Sequence, residues 1–142
     1  MVATVERRYA PPAFHPLHVL LLGGTLTLFL GALLSDIAYA RTFEIQWNNF
    51  ASWLIASGLV VSGIAMVCAL IGLAPSRRTR GTVLHAVLLL ATWVMGFFNA
   101  LMHARDAWAS MPGGLVLSVI VLVLACAATF FALRAHHAGG VA

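Results

Sequence analysis

A chain of 142 residues suits one domain, yet 62% of its residues are hydrophobic and only 8% are charged, against roughly 25% in a soluble globular chain. Its net charge of +4 comes from eight basic residues, all arginine, against four acids. These charges lie between long apolar runs instead of along one face, which argues against nucleic-acid binding and for topology signalling in a lipid bilayer.

Apolar stretches at Leu17–Tyr39, Phe50–Ala74, Thr82–His103 and Gly113–Arg134 each approach the roughly 20 residues that a helix needs to cross a bilayer. Pro11, Pro12 and Pro16 precede the first, Pro75 follows the second and Pro112-Gly113-Gly114 precedes the fourth, as expected at helix ends. The expected fold is all-α, a single domain over residues 1–142 forming an up-down-up-down transmembrane four-helix bundle with short connections. The run from Arg7-Arg8 to Ala38-Tyr39-Ala40 imitates a secretory signal, but its apolar stretch is too long and contains His18 and Asp36.

Arginine in the flanks sets the expected direction. Arg7, Arg8, Arg77, Arg78, Arg80 and Arg134 fall on one side, which is expected to place both termini in the cytoplasm. The opposite side holds Arg41 with Glu44 and Arg105 with Asp106, together with Tyr39, Trp47, Trp53 and Trp108 at the expected headgroup level. Trp93 alone lies in mid-span.

In the first span His18 and Asp36 are 18 residues apart, five full turns, and in the third span His85 and His103 repeat this interval. Ionisable residues are costly inside a bilayer and face the bundle interior, so two polar layers are expected. His18 should lie level with His85, and Asp36 level with His103. Thr25, Thr92, Gly96 and Asn99 continue the stripe between them, and the offset between matching residues is 67 throughout, as a duplication would leave.

Helices one and three are expected diagonally opposite, so their imidazoles could clasp one iron. Bis-histidine ligation of haem b requires two neutral imidazoles on opposite sides of the porphyrin. His18 and His85 are the candidate ligands, with His15, beside Pro16 at the helix start, as a substitute for His18. The bland alternative for these histidines is an interfacial position at the headgroups. Asp36 and His103 form the alternative metal site, or else orient each other, pass protons or share a structural hydrogen bond. Asp106 and Arg105 read as solvated loop residues.

Spans two and four read as packing walls, with Gly58–Ser62 and Ala128–Ala132 at small-xxx-small spacing. Cys68 and Cys126 read as core residues, and His136 and His137 as a disordered tail. No hydrolytic residue set appears.

His15-Pro16 with the run to Asp36, His85 early in the third span, and the segment from Phe98 to Trp108 together resemble the bacterial membrane-protein family called domain of unknown function 2231. A second proline that relatives often carry in the first span is absent, Leu21 to Gly24 standing there. The resemblance covers nearly the whole chain and implies membrane electron transfer, because related domains accompany Rieske proteins and quinoprotein sugar dehydrogenases. The reading is a membrane haem b protein relaying electrons between a redox-protein partner and the quinone pool, as a subunit of a membrane oxidoreductase. Two others stand beside it: a non-enzymatic anchor or assembly subunit, and a metal-binding or transport protein that would act as a homo-oligomer.

Overall fold

The computed structural model describes residues 16–73 and 79–139, with side chains as far as residue 135. His15, the arginines at 7, 8, 77 and 78, and the prolines at 11, 12 and 75 lie outside the described residues. Four long helices dominate: α1 (Pro16–Thr42), α2 (Ile45–Ile71), α3 (Arg80–His103) and α5 (Gly113–Gly139), with a short α4 (Ala107–Ser110) between the last two. No strand occurs among the described residues.

Each long helix contains a span long and apolar enough to cross a membrane, and only 28% of each apolar window is buried within the protein. The exposed remainder carries large apolar side chains such as Leu20, Trp53, Ile71 and Val123. A surface of that kind is stable against lipid tails, where helices also satisfy their own backbone hydrogen bonds.

The helices extend beyond the apolar runs. Expectation began the second span at Phe50, but α2 starts at Ile45, so Gln46 to Asn49 form its first turn instead of a loop. The connection from α1 shrinks to Phe43 and Glu44, with Phe43 at φ 57° and its amide bonded to the Tyr39 carbonyl at 2.8 Å. Intrahelical hydrogen bonding, not hydropathy alone, sets these boundaries. At the other end α5 continues to Gly139, so the backbone at His136 and His137 is helical, contrary to the expected disorder.

A reciprocal cap starts α3. Thr79 Oγ1 accepts from the Thr82 amide at 3.2 Å, while Thr82 Oγ1 accepts from the Thr79 amide at 2.9 Å.

α1 packs on α2 and α5, and α3 packs on the same two, which leaves α1 and α3 diagonal across the core. Their buried faces run in register. His18, Leu22, Thr25, Phe29, Ala32 and Asp36 on α1 stand 67 positions before His85, Leu89, Thr92, Gly96, Asn99 and His103 on α3, and all twelve are buried. Three of these pairs are identical, Phe29 meets Gly96 as large to small, and Asp36 meets His103 as acid to base. Small residues fill the flanks, with Ala65 and Ala69 from α2 and Ala128 and Ala132 from α5 closing the core around Leu22 and Leu89.

Mid-bundle, Phe29 occupies the axis. A Cβ on Gly58 would stand 2.9 Å from its ring and one on Gly96 3.3 Å, so two glycines make its space. Trp93 nearby donates from Nε1 to the Leu59 carbonyl at 3.1 Å, which ties α3 to α2 and satisfies the indole.

Candidate functional site: two polar layers on the bundle axis

Five turns of helix separate the two layers, and the fixed rise of about 1.5 Å per residue puts them roughly 27 Å apart. Both arise because residues 18 apart return to one face. The diagonal placement then brings α1 and α3 together only through side chains long enough to cross the core.

In the first layer His18 Nε2 lies 3.0 Å from His85 Nε2, the rings at 90° with centroids 5.2 Å apart. His85 Nδ1 lies 2.8 Å from the Ala128 carbonyl of α5. A carbonyl only accepts, so Nδ1 carries the proton and neutral His85 presents a lone pair at Nε2. His18 Nε2–H therefore donates to it. A backbone carbonyl on the remote ring nitrogen is also the arrangement that fixes the tautomer of metal-binding histidines.

The second layer is charged or acid-bearing. His103 Nε2 lies 2.8 Å from Asp36 Oδ1, and His103 Nδ1 donates to the Asn99 carbonyl at 2.9 Å. Ser118 Oγ donates to Asp36 Oδ2 at 2.5 Å and accepts from Asn99 Nδ2 at 2.8 Å. These contacts close a ring through α1, α3 and α5. Asp36 and Asn99 are wholly buried, and Asn99 Oδ1 has no hydrogen-bond partner. The close approach of α5 depends on Gly114, where a Cβ would stand 2.8 Å from His103 Cε1.

Thr25 and Thr92, expected as a polar stripe between the layers, are buried but donate to carbonyls of their own helices, Leu21 and Leu88, at 2.9 and 2.8 Å. Hydroxyls bonded back one turn satisfy themselves and link nothing. Sequence reasoning missed two contributors on helices read as packing walls. Ser118 of α5 bonds Asp36, and Asn48 of α2 is buried with its Oδ1 3.2 Å from Ser110 Oγ. A lone serine in an apolar helix carries no signal of its partner, because most such hydroxyls bond back to their own helix.

Around the second layer Asp106 and Arg105 are exposed, as a solvated loop requires. Phe43 stacks on Trp108 with centroids 5.7 Å apart, and Trp108 and Trp53 are exposed while Tyr39 is buried. No group of three or more His, Cys, Asp or Glu that could hold a metal occurs among the described residues. Asp36 and His103 thus meet without a third ionisable ligand.

A family model described as "Predicted membrane protein (DUF2231)" matches residues 14–141. No curated protein and no solved structure matches the chain.

Proposed function

The chain belongs to this family of membrane proteins, and from that premise we propose that it binds haem b at the His18–His85 layer and relays electrons between a redox partner and the quinone pool. The observation that carries the reading is the pair of imidazoles aimed Nε2 to Nε2 across the diagonal, with His85 oriented by the Ala128 carbonyl. His18 and His85 would hold the iron through the Nε2 atoms that already face one another across the core, 3.0 Å apart. The donor set fits, whereas the porphyrin itself requires the helices to spread at this end. Ala65, Ala69, Ala86, Ala128 and Ala132 pack with Leu22 and Leu89 at this end of the core.

Haem with two histidine ligands supplies a one-electron couple inside an apolar, water-excluding interior. The chain's own part is to hold both imidazoles neutral, fix the His85 tautomer and exclude water with the leucine and alanine shell. His15 remains the substitute for His18 by one turn of adjustment. The arginine-rich flanks support a reading in which this layer lies at the cytoplasmic face of a bacterial inner membrane, with both termini inside. A second reading, an anchor or assembly subunit with structural polar layers, draws on the outer ring, whose donors and acceptors nearly all satisfy one another.

Absorption spectra of the protein expressed with ample haem, oxidised and then reduced with dithionite, test the proposal. A haem spectrum is expected, abolished by His85→Ala and by His18→Ala but retained in His103→Ala. A colourless wild-type protein overturns it in favour of the anchor.

A further inference from the structure

We propose that the Asp36–His103 cluster is a proton-binding site carrying one exchangeable proton, reached from the end of the bundle at which the two residues lie. The inference stands on the second layer alone and does not depend on haem at the first.

Counting hydrogens leads to it. His103 Nδ1 faces the Asn99 carbonyl, which cannot donate, so that nitrogen is protonated. Ser118 directs its single hydroxyl proton to Asp36 Oδ2 while accepting from Asn99 Nδ2. The contact between His103 Nε2 and Asp36 Oδ1 remains, 2.8 Å long. Two lone pairs at that distance repel, so one proton lies between them. Held as imidazolium with carboxylate or as imidazole with carboxylic acid, it leaves the cluster neutral, and its departure would leave a net negative charge in an apolar interior. Both forms keep every other hydrogen bond of the ring, so the proton can shift or exchange without rebuilding the fold.

A second observation points the same way. Asn99 Oδ1 is wholly buried and without a partner. It is the one unused acceptor of the ring, suited to a water molecule that brings or removes the proton.

The axis is closed on one side. Toward the histidine layer the Phe29 ring, seated against Gly58 and Gly96, fills the axis. Toward the near end lie the buried Tyr39, Asn48 and Ser110. The elements packed on the pair add no further ionisable group inside, since α2 presents Asn48 and α5 presents Ser118. Arg41, Glu44, Arg105 and Asp106 at this end are exposed.

Nitrogen-15 NMR of histidine-labelled full chain in lipid vesicles provides the test, with His103 assigned by the signals lost in His103→Gln. Wild type is expected to show a protonated Nδ1 and an Nε2 that carries or shares a proton, which exchanges when H2O is replaced by D2O. In Asp36→Asn the Nε2 signal is expected to move to that of a bare acceptor nitrogen. Ser118→Ala keeps the pair and provides the reading if Asp36→Asn does not fold, with the proton expected to shift toward Asp36 and the acid carbonyl stretch to gain intensity. An Nε2 signal unchanged by Asp36→Asn, an unshifted proton in Ser118→Ala, an unprotonated Nδ1, or a proton that does not exchange overturns the proposal.

Discussion

The two polar layers occupy equivalent places on the same pair of helices, yet the first joins like to like and the second joins opposites. Two imidazoles cannot both donate and both accept along one line, so the first layer needs the Ala128 carbonyl to assign their roles. What results is a single neutral hydrogen bond, 3.0 Å long, that an electron-pair acceptor can replace. The second layer, by contrast, joins an acid to a base and engages both carboxylate oxygens, leaving little for an outside ligand. That difference is what the proposals of ligand binding at the first layer and proton binding at the second rest on.

The largest effect expected on stability comes from removing one member of the charged layer. Asp36→Ala strips both His103 and Ser118 of their acceptor, and loss of one partner from a buried pair costs about 3–5 kcal/mol. Unfolding in detergent should register this, and His18→Ala, which leaves only a neutral imidazole, should lose less. Equal losses would break the distinction between a neutral and a charged layer.

A smaller effect is expected at the plug that separates them. Gly58→Ala places a methyl group 2.9 Å from the Phe29 ring, and overpacking of this kind costs about 1–3 kcal/mol. Gly23, with nothing within 4 Å of its Cβ position, is the control, and Gly23→Ala should not destabilise. If the two glycine variants unfold alike, Phe29 is not held as tightly as its contacts indicate.

Least of all is expected from the hydroxyls between the layers. Because Thr25 donates only to its own helix, Thr25→Val should change stability by about 0.6 kcal/mol or less, a typical value for a hydrogen bond within a membrane bundle. A substantial loss would restore the threonines as a link between the two layers.

Sequence by itself determined the four spans and the position of every ionisable group along them. A helix has a fixed rise and a fixed number of residues per turn, so His18 and Asp36, or His85 and His103, have their face and separation set by counting. The 67-residue register made the layers legible, and it extends to Leu22 with Leu89 and to Phe29 with Gly96. Tertiary structure alone decided that Ser118 completes the acid's hydrogen bonds, that Asn48 meets Ser110, and that Phe29 closes the axis between two glycines. Those facts depend on how far α2 and α5 rotate and how closely they approach, which is set by the summed packing of small side chains and leaves no periodic mark on any one helix.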